Sequence, residues 1–460
     1  MVRFGLALAL LGLAATGSQV SGAASAAAAP VAVAAISGPV PVTAETGESY
    51  RGSNEQPVAG PGLPMPDLER VGYVQEEYVV SGTVDGRPYR TSMLVRKPKD
   101  MTRFSGLVGV ETIHASGAIP FWGVGREVWA PGGHAWVAVA SQRAALEDRV
   151  KKFNPARYAA LSVPEAASGE NGMSASPQDR ISQAIMTQVG ALLKSNPANG
   201  PFAGSPVRYL LMGGSSQTGG TTLRYIEQSH AAARLPDGKP IYDGYLPSEA
   251  FATTRISGGD AAVIHAVGEG DFGLFRLGNP AVRFSVREDS DAADDRFREF
   301  EFAGASHVPT RGQTKNGHPG EYPSQFPTMP FYKMALLHLI DWVTKGTVPP
   351  RAPRLEQDAA GDFLRDGHGN VKGGIRSPWV DVPTARIIAS PPLDPDGNRS
   401  RAQQGIQENF SRDQLVRLYG TREAYLARFD ASIDRVVTDR WITAADGAKL
   451  KAEEAAKPPF

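Results

Sequence analysis

The chain has 460 residues, with 48 Lys and Arg against 48 Asp and Glu, 50 Gly, 36 Pro and no Cys. Charge balance removes any global electrostatic argument for nucleic acid or an anionic membrane surface as partner. The absence of cysteine excludes disulfides, thiolate metal sites, iron–sulfur clusters and a thiol nucleophile, while a 41% hydrophobic content can build a sizeable core rich in turns.

Met1-Val2-Arg3 is a short positive start, followed by the apolar run GLALALLGLAA over residues 5–15. That run is too short to span a bilayer of about 30 Å. Small-residue sites at Ser21-Gly22-Ala23 and Ala24-Ser25-Ala26 complete the layout of a secretory signal peptide over 1–29. The expectation is an exported protein, periplasmic or secreted, without stable membrane insertion. Residues 30–66, rich in Ala, Pro and Gly, read as a flexible lead-in, and 67–460 as one domain.

Within that domain, Tyr73–Val84 and Tyr89–Arg96 are strand-like and joined by the turn Asp85-Gly86-Arg87-Pro88. Gly106–Thr112 and Ala135–Ala140 are nearly continuous apolar runs, as expected of strands buried on both faces. A helix is predicted from Ser176 to Lys194, with Ile181, Ile185, Val189 and Leu192 on one face. Next come a strand over Val207–Met212, a helix over Thr221–Ala233, and strands over Ala261–Val267 and Phe297–Ala303. Phe331–Thr344 is a periodic helix, and two amphipathic helices near 412–432 and 444–456 close the chain. Alternating strands and helices predict an α/β fold with a mostly parallel central sheet flanked by helices, long loops and a C-terminal wrapping segment.

Chemistry concentrates at Gly213-Gly214-Ser215-Ser216-Gln217-Thr218-Gly219-Gly220, between a strand and a helix. A nucleophilic serine there needs small residues two before and two after it, because the turn is tight. Gly214 and Thr218 bracket Ser216 in this way, whereas Ser215 would place Gln217 at the crowded position, so Ser216 is the predicted nucleophile. The base should follow a later strand, and His307 comes directly after FREFEFA through Gly304-Ala305-Ser306. The acid should follow the strand between them, where Glu269 and Asp271 both stand. Spacing does not choose between the two.

Oxyanion donors are expected from the Gln217 N–H and from the loop holding His114 and Ala115, where His114 either donates to substrate or only bonds its own loop. Phe121, Trp122 and Trp129 either line an apolar pocket, with Trp122 binding substrate, or pack beneath the loop as ordinary aromatic core. Gly268-Glu269-Gly270-Asp271-Phe272-Gly273 is also a literal G-x-G-x-x-G. Two carboxylates would repel a pyrophosphate, and Gly278-Asn279-Pro280 would stop the following helix early, so no dinucleotide is expected. No metal-ligand spacing occurs, and the acidic group Glu288, Asp289, Asp291, Asp294 and Asp295 reads as a solvated loop.

These residues resemble the α/β-hydrolase-domain family of secreted bacterial GGIR-type esterases, over about 70–456. Val110-Glu111-Thr112-Ile113-His114-Ala115-Ser116-Gly117 is similar to the family's V-E-W-x-N-x-S-G, and Gly214–Gly219 to its G-x-S-Q-[ST]-G. Asn154–Tyr158, Glu269–Asp271, Arg287–Asp291 and Phe302–His307 resemble further motifs in the same order, as does Gly373-Gly374-Ile375-Arg376-Ser377-Pro378-Trp379-Val380-Asp381-Val382-Pro383. The departures are His114, where Asn is usual, and 163–176, which lacks H-P-G-D-x-Y. The resemblance implies an α/β-hydrolase fold with Ser216 and His307 as nucleophile and base, and prefers Glu269 over Asp271 as the acid, so that Glu269→Gln should cost far more turnover than Asp271→Asn.

The reading that follows is a cofactor-free serine hydrolase acting on a small-molecule ester through a Ser-His-acid triad. Rival readings are an amidase, peptidase or acyltransferase on the same scaffold, or a non-catalytic periplasmic binding protein. Nothing in the sequence indicates an oligomeric state.

Overall fold

A computed structural model describes residues 31–53, 67–165, 177–252, 255–277, 284, 287–313, 321–393 and 400–458. The predicted signal peptide, 1–29, lies outside the described residues.

Within the predicted lead-in, Ala35–Ser37 (β1) pairs antiparallel with Tyr73–Val84 (β2). Tyr50 is buried, its hydroxyl donating to Gly117 O at 2.6 Å and its N–H to the Tyr158 hydroxyl at 2.6 Å. The expected lead-in is therefore corrected over 31–53. A sheet pairing and a buried aromatic hydrogen bond tie this stretch to the domain, and 54–66 lie outside the described residues. Asp85 and Gly86, with φ of 50° and 73°, turn β2 into Arg87–Pro98 (β3) as a two-residue hairpin.

Leu107–Thr112 (β4), Ala135–Val139 (β5) and Ala262–Gly268 (β8) are buried at every position. With Tyr209–Ser215 (β6), Gly244–Ser248 (β7), Ser290–Ala292 (β9) and Asp295–Phe302 (β10) they complete a ten-stranded sheet ordered β1-β2-β3-β5-β4-β6-β7-β8-β10-β9. The strands from β5 through β10 in that order run parallel, while β1, β2, β3 and β9 join antiparallel. Helices Pro120–Trp129 (α1), Pro177–Ser195 (α2), Gln217–Gln228 (α3), Glu269–Arg276 (α4) and Thr328–Lys345 (α5) follow strands or loops of this sheet. α1 packs on α5, and α2 on α3.

One predicted element shifts, and one central strand appears that was not predicted. The helix expected from Thr221 begins at Gln217, because the elbow passes straight from strand to helix with no spacer. β7 was not expected, since Gly244 and Pro247 disguise a central strand.

The tail wraps the end of the sheet that carries β10. Tyr322–Pro323 (β11), Ala385–Ile388 (β12) and Ile406–Asn409 (β13) form a small antiparallel sheet. Helices Arg412–Tyr419 (α6), Arg422–Thr438 (α7) and Ala444–Ala455 (α8) follow it. Ile375, in the GGIR segment, donates its N–H to Glu301 O at 2.7 Å and accepts from Ala303 N–H at 3.1 Å, covering the free edge where β10 ends. The predicted solvated acidic loop is corrected in part: Glu288 and Asp294 are exposed as expected, but the other three acids are ion-paired. Asp289 pairs with Arg354 at 2.7 Å, Asp291 with Arg298 at 2.5 Å and Asp295 with Arg287 at 2.6 Å, because basic side chains from β10, the tail and the loop before β9 converge there.

Candidate active site

Ser216 stands at the C-terminal edge of the sheet, between β6 and α3, with φ 56° and ψ −122°. Such a conformation costs a residue with a Cβ roughly 1–3 kcal/mol and persists only where surrounding structure enforces it. Here close packing enforces it: a Cβ on Gly219 would strike Ser248 O, and one on Gly214 would lie 2.5 Å from Thr218 O. The strained turn lifts the Ser216 hydroxyl off the sheet.

His307 follows β10 and is nearly buried, at 4% exposure. Its Nε2 lies 2.9 Å from Ser216 Oγ and its Nδ1 lies 2.6 Å from Asp271 Oδ1. A carboxylate accepts, so Nδ1 carries the hydrogen and Nε2 is left to accept the serine proton. Asp271 is fully buried in the first turn of α4, where its other oxygen accepts from Gly268 N–H at 2.6 Å. These bonds fix the order carboxylate, imidazole, hydroxyl.

Glu269 is not part of that line. Its Oε1 accepts from Arg365 at 2.5 Å and its Oε2 from Gly304 N–H at 3.0 Å. The preference for Glu269 as the acid is corrected on geometry: residues two apart on a helix face different ways, and Asp271 is the one turned to His307. Burial pushes the Glu269 carboxyl upward, and Arg365 pulls against it.

The Gln217 N–H opens α3 and has no acceptor within the helix, so it can serve as an anion donor. The Gln217 side chain is a clamp. It forms a reciprocal amide pair with Gln142, at 2.7 and 3.2 Å, and accepts from Ala115 N–H at 3.3 Å. This commits the Ala115 N–H to the clamp.

His114 is half-buried, and its Nδ1 accepts from Ser116 N–H at 2.9 Å. Burial, then the charges of His307 and Arg149, push this imidazole down to about 4, so it is neutral near pH 7 and its one hydrogen is on Nε2. The Ala115 bond to the Gln217 side chain sets the His114 loop beside the nucleophile turn.

Trp122 is buried in the core. It is 2% exposed, packs on Trp136 with ring centres 5.2 Å apart, and carries the Arg96 guanidinium 4.3 Å from its ring centre. The cause is Glu111, which accepts from the Phe121 and Trp122 N–H groups at 3.0 and 2.7 Å and so sets the start of α1 with Trp122 turned inward. Of the two readings of Trp122, the structure shows packing beneath the loop, and the expectation that it binds substrate is corrected.

Sequence reasoning missed Glu249, directly after β7. It accepts a hydrogen bond from the Ser215 hydroxyl and has φ 54°. Burial pushes its carboxyl up to about 7; His307 and Ser215 oppose the rise, and Asp271 adds to it. The available signal was its position after a strand at the same sheet edge, hidden because that strand was not recognised.

A second His–Asp pair, His230 with Asp260 at 2.9 Å, has Tyr245 rather than a serine on its other nitrogen, and Arg234 binds Asp260. Among the described residues no group of three or more His, Cys, Asp or Glu could hold a metal ion, and no helix is long and apolar enough to cross a membrane.

A family model described as an alpha/beta hydrolase domain matches residues 36–452. No curated protein matches the chain. Among solved structures the chain is similar to LpqC, a poly(3-hydroxybutyrate) depolymerase from Bordetella parapertussis, at 11% identity and TM-score 0.33, over 64% of this chain and 94% of that one. It is also similar to the esterase Est22, at 13% identity and TM-score 0.28, over 51% and 74%. A glucuronoyl esterase from Solibacter usitatus matches at 9% identity and TM-score 0.26, over 50% and 77%.

Proposed function

The chain belongs to the alpha/beta hydrolase domain family, and from that premise we propose that it is an exported serine hydrolase cleaving carboxylic esters of small molecules. The observation that carries this reading is the unbroken line from Asp271 through His307 to Ser216, on a serine held at positive φ between strand and helix.

His307 Nε2 takes the Ser216 proton as Oγ attacks the ester carbonyl. The imidazolium is held by Asp271, and the Gln217 N–H stabilises the developing oxyanion, with the His114 Nε2–H assigned as the second donor. Nε2 then returns the proton to the leaving alcohol. Water, deprotonated by the same nitrogen, attacks the acyl-enzyme and regenerates Ser216. Every proton in the cycle passes through Nε2. Export is supported by the Met1-Val2-Arg3 start and the apolar run over 5–15.

A fluorophosphonate probe should label the protein, and Ser216→Ala should abolish labelling and p-nitrophenyl ester turnover together. Labelling that survives the substitution rejects Ser216 as nucleophile. Faster turnover of matched anilides than of esters would move the assignment to an amidase.

A further inference from the structure

The proton relay uses Ser216, His307 and Asp271 and leaves Glu249 unassigned at the same sheet edge. Ser248, the residue before it, is in register with Ser215 of β6 and with Ala266 of β8. Glu249 N–H donates to Ala266 O at 2.9 Å, and Ser216 N–H donates to Ser248 O at 3.0 Å. The backbone at 248–249 is thus bonded both to the nucleophile turn and to the strand that leads into the acid turn.

A φ of 54° suits glycine and strains glutamate. The strained backbone carries a carboxylate toward the relay, where the Ser215 hydroxyl donates to Oε2. Ser215 of β6 bonds to Glu249 directly, and Asp271 of α4, His307 of the loop after β10 and Tyr332 of α5 are close enough to couple to its charge. His307 and Asp271 act on it through space. The Tyr332 hydroxyl is buried and has no hydrogen-bond partner among the described residues.

We propose that Glu249 is a positioning residue of the relay, a second carboxylate that acts on His307 through space and shares with Asp271 the stabilisation of the imidazolium formed when Ser216 loses its proton. The proposal rests on the serine-hydrolase reading. An anion near an imidazole favours its protonated form, and Ser215 keeps this anion in place without taking part in the chemistry. Because burial raises the Glu249 carboxyl to about 7, its charge appears over the pH range where histidine normally titrates. The support it lends is therefore greatest on the alkaline side of that range.

The test is kcat and KM for a p-nitrophenyl ester across pH, for Glu249→Gln alone and combined with Asp271→Asn. Glutamine keeps an oxygen to accept from Ser215 and removes the charge. The single variant should lose roughly tenfold in kcat with KM little changed, and the acid limb of kcat/KM should move to lower pH. In the Asp271→Asn background the same change should cost a larger factor, because Glu249 is then the remaining carboxylate. An equal factor in both backgrounds with an unmoved acid limb overturns the proposal and leaves Glu249 as a holder of Ser215. Should Glu249→Gln fail to fold, Glu249→Asp keeps the charge and must retain an acid limb near that of the wild type; a limb displaced to lower pH counts against the proposal. A wild type without Ser216-dependent fluorophosphonate labelling overturns the hydrolase reading and this inference with it. Normal labelling with an unmoved limb overturns only the inference.

Discussion

Glu269 and Asp271 stand two residues apart at the start of one helix and serve different masters: Glu269 binds Arg365 at 2.5 Å, and Asp271 binds His307 at 2.6 Å. The two acids are therefore separable by experiment. Asp271→Asn should lower kcat by about 10²- to 10⁴-fold with the thermal midpoint near that of the wild type, since under the proposed mechanism it removes the group that holds the imidazolium. Glu269→Gln should instead cost about 1–2 kcal/mol of stability, because Gly304 keeps an acceptor while Arg365 loses its ion pair. Steady-state kinetics and urea unfolding on both variants check this, and a larger kinetic loss in Glu269→Gln would reverse the assignment.

Gly270, between these acids, touches the base from behind. A Cβ there would lie 2.8 Å from Ser306 Cα, 3.1 Å from His307 N and 2.6 Å from Ala389 O, so backbone must move. Gly270→Ala should displace His307 and reduce kcat on the order of 10²-fold, a loss typical of small misplacements. Fluorophosphonate labelling rates report the displacement directly; an unchanged rate would mean that the loop absorbs the methyl group.

His114 offers a test of the oxyanion contacts. With Nδ1 accepting from Ser116 N–H, the neutral ring has its donor at Nε2. His114→Ala should cost about 10²- to 10³-fold in kcat, the usual effect of losing one oxyanion donor. His114→Asn restores an N–H and should recover part of that loss. Equal activity in the alanine and asparagine variants would show that His114 serves only its loop.

His338 provides a stability probe remote from the site. Burial on α5, chiefly, pushes this imidazole from 6.5 down to about 4, and its Nε2 donates to Arg440 O at 2.8 Å. Between those two values the unfolded chain takes up a proton that the folded chain refuses, so folding weakens as pH falls through that window. Each unit of difference is worth about 1.4 kcal/mol. His338→Gln removes the titration and keeps a donor, so it should gain stability relative to the wild type between pH 7 and pH 5. Urea titrations at both pH values measure the difference. A constant gap between variant and wild type would refute the titration.

Much of the frame was legible in the sequence because its signals are local. The runs in β4, β5 and β8 are apolar throughout, and the small residues around Ser216 announce the turn. His307 was legible from its place after a strand. What stayed hidden depends on orientation. The choice between Glu269 and Asp271 is a matter of helix phase, set when Asp271 accepts from Gly268 N–H. Trp122 reads as a pocket aromatic until Glu111 is seen gathering the two N–H groups that turn it inward. Glu249 was obscured by Pro247, a residue that argues against the strand it stands in.

The grip of the tail on the histidine loop sets an order of events in time. Ile375 bonds to Glu301 and Ala303 before His307, and Val308 N–H, just after it, donates to Gln403 O at 2.8 Å. A nascent chain that has already produced Ser216, Asp271 and His307 still lacks the segments that hold the base in register. On the proposed mechanism, hydrolytic competence would therefore arrive late in synthesis, and a chain ending at residue 350 should bind the fluorophosphonate no faster than Ser216→Ala does.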